Sequence, residues 1–134
     1  MAVSSQGASI VPASLFDALP MLESGEQFDT LIRRGDVHIE RIVSSPRPEP
    51  VRYDQAHDEW VLLLQGQATL ELAGEEVQLA AGDHLLIPAH CPHRVLATSE
   101  TPRCVWLAVH IPLAPDAAQS TGDLSTPPAG PPTA

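Results

Sequence analysis

Residues 59–80 read EWVLLLQGQATLELAGEEVQLA, short apolar stretches separated by one glycine and by an Ala-Gly-Glu turn. In ATLEL (68–72) and EVQLA (76–80) every second residue is apolar, the period of a strand with one face in a core and the other in water. Ala68, Leu70, Leu72, Val77 and Leu79 therefore face inward, and Thr69, Glu71, Glu76 and Gln78 face outward. WVLLL (60–64) is apolar on both faces, as a central strand or one covered by another subunit would be. With Val61 and Leu63 inward, Trp60, Leu62 and Leu64 form an outer face that needs cover, so a homodimer is expected.

The same period extends to both sides. VHIERIV (37–43), HLLIP (84–88), HRVLAT (93–98) and CVWLAVHI (104–111) are further strands, punctuated by SSPRPEP (44–50), AAGD (80–83) and SETPR (99–103). Strands broken by turn chemistry at roughly 8–12-residue spacing predict an all-β sandwich or barrel. HRVLAT and CVWLAVHI read as a hairpin around SETPR, which sets His93 opposite Ala108 and turns His110 inward beside it. Upstream, Ser24 can cap a short helix over GEQFDTLIRR (25–34), with Phe28, Leu31 and Ile32 on one side and Gly35 as its stop. The expected organisation is an N-terminal extension with that helix (1–36), an antiparallel barrel (37–113) and a disordered Pro-rich tail (114–134).

A chain of 134 residues holds one domain. Its formal charge is −10, all seven cations are Arg, and no basic stripe offers a hold for phosphates, so no nucleic-acid partner is expected. No apolar run approaches the ~20 residues that span a bilayer, and the first residues lack the pattern of a signal peptide. The expectation is a cytoplasmic protein without a membrane partner. Cys91 and Cys104 form no CxxC pair and read as ordinary thiols.

Chemistry concentrates in two places. His84, His90 and His93 fall within GDHLLIPAHCPH (82–93), and Glu59 follows His57 and Asp58. Polar residues at strand ends are how small barrels build a site in the mouth. These segments resemble the cupin superfamily, whose two motifs have the forms G-x5-H-x-H-x3-4-E-x6-G and G-x5-P-x-G-x2-H-x3-N. Glu59 is followed after six residues by Gly66, and Gly82 after five by Pro88, with His93 five further on. The resemblance spans about residues 37–112, and it implies a cupin-type barrel, a double-stranded β-helix or jelly roll. YDQAHDEWVLLLQG, GDHLLIPAHCPHRV and VWLAVH look most like the small stand-alone bacterial cupins, some of which carry a sugar-phosphate isomerase label.

The departures from the motifs bear on the site. Tyr53 and Gln55 stand where the family has its two first-motif histidines, or Arg52 and Asp54 under the longer spacing. Arg47 replaces the first-motif Gly, His90 the second-motif Gly, and Ala97 the Asn. Of the three-His, one-Glu set that the resemblance implies, Glu59 and His93 remain. His110, His90 and Gln55 are the candidate replacements around a divalent metal, Zn, Ni, Mn or Fe, since imidazole with carboxylate suits any of these. Tyr53 and Trp106 are expected to line the pocket of a small-molecule ligand, while His57 reads as a surface residue and His38 and His84 as structural. Two function classes follow: a metal-dependent enzyme on a small oxygen-rich molecule, by isomerase, lyase or oxygenase chemistry, or a non-catalytic barrel that binds or senses one.

Overall fold

The computed structural model describes residues 10–113. The expected disorder of 114–134 lies outside those residues. Eight strands run in chain order: β1 Glu26–Arg34, β2 Val37–Ser44, β3 Asp58–Gln65, β4 Gln67–Leu72, β5 Glu75–Ala80, β6 His84–Ile87, β7 His93–Thr98 and β8 Cys104–Ile111. They form two antiparallel sheets, one ordered β1-β2-β8-β3-β6 and the other β5-β4-β7. Between the sheets lies a core of Ile42, Val61, Leu63, Ala68, Leu70, Leu79, Ile87, Cys104, Trp106 and Ala108. The inward assignments for β3, β4 and β5 agree with the burial, with Leu72 and Val77 packed at the edge of that core. On the outer face of β3, Trp60, Leu62 and Leu64 are half-buried.

Two expectations need correction. The segment read as a Ser24-capped helix is the edge strand β1, and no helix occurs among the described residues. Gly35, taken for a helix stop, has φ 59° and opens the two-residue turn between Arg34 and Val37. Phe28, Leu31 and Ile32 are all more than 40% exposed, so no buried stripe exists to hold a helix against the barrel. The strand is fixed instead by its register with β2. Asp29 stands opposite Arg41 and accepts from Nε at 3.0 Å and Nη2 at 2.8 Å, while Arg41 Nη1 holds the carbonyls of Leu15 and Asp17.

The second correction concerns SETPR, which joins the two sheets and closes no hairpin. β7 pairs with β4, whereas β8 lies between β2 and β3. The period-two pattern cannot tell a hairpin from a crossover between facing sheets, because both alternate identically.

Gly66 is the tightest backbone position. Its φ is 98°, and a Cβ there would lie 2.8 Å from Cys104 Sγ and 2.9 Å from both Cys104 Cα and Ser99 Oγ. Gly74 also has a positive φ, 87°, but nothing lies within 4 Å of its Cβ position. Gly66→Ala should therefore cost strain and overlap together, about 2–4 kcal/mol, against about 1 kcal/mol for Gly74→Ala. Thermal or urea unfolding of the two variants side by side checks this ordering.

Candidate functional site at the barrel mouth

Inner-face side chains change character along each strand of the large sheet. The directly opposed residues Ile42, Trp106 and Leu63 form one apolar row, and Glu40, Ala108 and Val61 form the next. The row at the mouth is His38, His110 and Glu59. Opposed residues of an antiparallel pair share a face, so the polar groups gather at one end above the core.

The loop before β3 completes the mouth from the other side. Tyr53 and His93 exchange both backbone hydrogen bonds, at 2.8 and 2.9 Å, which stacks their rings with centroids 5.6 Å apart. The Gln55 carbonyl accepts from His90 N at 2.6 Å, and Asp58 Oδ1 accepts from Ala89 N at 2.8 Å. These ties hold Tyr53, Gln55 and His57 over the barrel opening. Below them lies a cavity of about 60 Å³ whose walls include Glu26, Phe28, Tyr53, Glu59, His93 and Trp106.

Two clusters result. In the first, Gln55 Nε2 donates to Glu59 Oε1 at 2.9 Å and lies 3.4 Å from His93 Nε2, which is itself 3.7 Å from Glu59 Oε1. His93 Nδ1 bonds the Cys91 carbonyl at 2.9 Å. Glu59 and His93 are 7% and 8% exposed. In the second cluster, His110 Nε2 is 2.7 Å from Glu40 Oε2, and His38 Nε2 is 3.8 Å from Glu40 Oε1. Potential ligand atoms of His38, Glu40 and His110 all lie within 4.8 Å of one another. His57 Nε2 meets His110 Nδ1 at 2.9 Å, and Thr30 Oγ1 meets His38 Nε2 at 2.8 Å.

The structure thus places the expected site residues as follows. Glu59, His93 and Gln55 come together, with Tyr53 stacked over His93. Trp106 is buried at the cavity wall and donates Nε1–H to Ser44 Oγ at 3.0 Å. His110 faces the interior, but β2 and β3 bring it there, because β7 is not its neighbour. His90 occupies a turn at φ 62°, its side chain is 70% exposed, and its ring bonds Asp54 at 3.0 Å on the rim. His38 and His57, set aside in the sequence, both touch the mouth. The missed signal was the i, i+2 pair His38 and Glu40 on one face of β2, which gains meaning only once β2 is known to lie beside β8.

Electrostatics bind the clusters together. Burial pushes the Glu26 carboxyl above its usual range, Ser44 Oγ–H at 2.7 Å opposes this, and Glu59 and Glu40 reinforce it. Burial also raises Tyr53, helped by Glu26, Glu59, Glu49 and Glu40. The bond to Glu40 lifts His110 above 6.5 against the effect of burial. For His93 burial acts downward, but Glu59 and the Cys91 carbonyl outweigh it and the net shift is upward. Burial raises the Cys91 thiol, consistent with an unreactive one.

The cupin domain profile matches residues 44–110, and the chain belongs to that family. A Ralstonia eutropha JMP134 structure provisionally assigned as a mannose-6-phosphate isomerase is 37% identical over 78% of this chain and 100% of its own, with a TM-score of 0.69. A cupin superfamily protein from Desulfitobacterium hafniense DCB-2 is 21% identical over 79% of this chain and 94% of its own, with a TM-score of 0.67. KdgF from Halomonas sp. is 21% identical over 72% of this chain and 87% of its own, at a TM-score of 0.59. No curated protein matches the chain.

Cupins commonly bind a divalent metal, and the two clusters fit one unequally. At the family positions, Tyr53, Gln55, Glu59 and His93 supply a single imidazole and a single carboxylate, with an amide donor bridging toward both. An N–H aimed between two acceptors occupies the place a cation would take. His38, Glu40 and His110 supply two imidazoles and a carboxylate, a donor set suited to several divalent ions.

Both raised histidines bind protons more tightly folded than unfolded, so they add stability that is fully present below about pH 6.5 and lost as pH climbs through their folded values. The melting temperature of chelator-treated protein should fall as pH rises above about 6.5. Glu40→Gln should flatten the part due to His110, as differential scanning fluorimetry across that range would show.

Proposed function

We propose that the chain is a small metal-binding cupin that acts on a small oxygen-rich molecule at the barrel mouth. The observation that carries the reading is the polar row His38, His110 and Glu59, in which Glu59 also lines a cavity with Tyr53 and His93, while Gln55 and His57 bond Glu59 and His110 from the preceding loop. A divalent ion there, Zn, Ni, Mn or Fe, would supply Lewis acidity toward a ligand oxygen. The chain's own residues would orient that ligand. The Glu59 carboxylate accepts hydroxyl protons, the His93 imidazole gives or takes one at Nε2, and the stacked Tyr53 ring excludes water from one side.

Charge narrows the ligand class. Glu26, Glu40 and Glu59 are close enough to raise one another's charge cost, and the cation beside them is Arg33, whose guanidinium lies 3.4 Å from the His38 ring at the exposed rim. A neutral hydroxyl- or carbonyl-bearing molecule suits that field better than a phosphate ester, although the Ralstonia relative carries a sugar-phosphate name. At about 60 Å³ the cavity admits one end of such a molecule, with the rest held at the mouth.

A second reading, a non-catalytic binding or sensing barrel, is favoured by Gln55, whose amide reads as a recognition group for a ligand hydroxyl. In either case binding to the folded state raises the melting point by mass action. Protein stripped with chelator should gain several degrees on addition of Zn, Ni, Mn or Fe, and metal-loaded protein should gain more with mannose than with mannose 6-phosphate. A flat response to all four metals removes the metal reading. A response to mannose without metal selects the binding barrel.

A further inference from the structure

We infer that the metal centre of this chain lies at His38, Glu40 and His110 on the large sheet, displaced from the family positions, with His57 as the residue that orients His110. The inference rests on the metal-binding reading above and locates it.

Four observations carry it. The first is donor chemistry: this is the one group of three or more His, Cys, Asp or Glu side chains with converging ligand atoms among the described residues. The second is spacing. Ligand atoms held about 2.0 Å from a tetrahedral ion are about 3.3 Å apart. Glu40 reaches His110 Nε2 at 2.7 Å through Oε2 and His38 Nε2 at 3.8 Å through Oε1, and one ligand atom from each of the three residues lies within 4.8 Å of the others, so side-chain rotation alone is needed to bring all three onto one ion.

The third is the outer contact. When Nε2 of His110 ligates, its proton resides on Nδ1, and Nδ1–H then donates to His57 Nε2 at 2.9 Å. A ligating imidazole normally has such a partner, and losing it typically weakens affinity by about 10- to 100-fold. His57 stands at the end of the loop pinned by Tyr53, Gln55 and Asp58, so its position is set independently of the metal. The fourth is charge. Glu40 is 6% exposed, and Glu26 and Glu59 lie close enough to influence the same field. A divalent cation relieves that accumulation.

Two present contacts must give way. His38 Nε2 exchanges its bond to the Thr30 hydroxyl for the ion, and the Arg33 guanidinium, 3.4 Å from both ring nitrogens of His38, swings into solvent. Both partners are exposed at the rim, and neither move disturbs the core. The family positions are then free for the organic ligand, with the Gln55 amide, Glu59 and His93 reading its oxygens beside the ion.

Calorimetric titration of chelator-treated protein with Zn tests the assignment. One ion per chain is expected, with affinity reduced more than about 100-fold in His38→Ala, Glu40→Gln and His110→Ala, and less than about 3-fold in His93→Ala. His57→Ala should weaken binding by about 10- to 100-fold at unchanged stoichiometry, and His57→Gln, whose side-chain oxygen accepts the same bond, should restore most of it. X-ray absorption of the Zn-loaded wild type needs no variant: two imidazoles in the coordination sphere support the inference. A single imidazole, with binding lost in His93→Ala and kept in His38→Ala and His110→Ala, overturns the location but leaves the metal-binding reading standing. No binding by the wild type overturns both.

Discussion

The register of β8 between β2 and β3 governs everything at the mouth. Because Trp106, Ala108 and His110 share one face, the same pairing that buries Trp106 against Ile42 and Leu63 sets His110 between His38 and Glu59. A slip of one residue would expose Trp106 and turn His110 outward together. The core thus specifies the site: three apolar side chains at the bottom of the sheet lock the alignment of three polar side chains at its top. The bulge between Leu63 and Gln65 absorbs the irregularity at the far end, next to the constrained Gly66, and leaves the mouth end in regular pairing.

That arrangement carries an energetic burden. Glu40 and Glu59 are nearly fully enclosed, and an enclosed carboxylate without partners would cost several kcal/mol. Each has found a partner from another element, His110 for Glu40 and the Gln55 amide for Glu59. The two solutions differ chemically. The imidazole at Glu40 can exchange its proton for a metal ion without a new donor entering, whereas the amide at Glu59 must turn aside before anything else can bind there. One end of the barrel therefore offers two neighbouring sites of unlike preference, one for a cation and one for hydroxyl or carbonyl groups.

Much of this was legible in the sequence. Strands β2 to β8 follow from alternation and turn chemistry, and the spacing of Glu59 to Gly66 and of Gly82 to Pro88 to His93 gives the family. Glu59, His93 and Gln55 meet because those motifs set Glu59 and His93 at the starts of β3 and β7, beside the loop that carries Gln55. Less legible was anything that depends on which strands are neighbours. GEQFDTLIRR carries Phe28, Leu31 and Ile32 at spacings a helix would share, yet they stay exposed on an edge strand whose register is held by Asp29 and Arg41. His38 and Glu40 look unpartnered until β2 is placed beside β8, a contact between residues about seventy apart in the chain. His57 sits in a loop between acidic residues, and only the position of His110 turns it inward.

The central claim is positional, so the most direct measurement is anomalous scattering at the zinc edge from crystals of the Zn-loaded chain. The account predicts one strong peak about 2.0–2.2 Å from nitrogens of His38 and His110 and an oxygen of Glu40, with the Gln55 amide still on Glu59. A peak seated instead between Glu59 and His93, with His110 still bonded to Glu40, would contradict it.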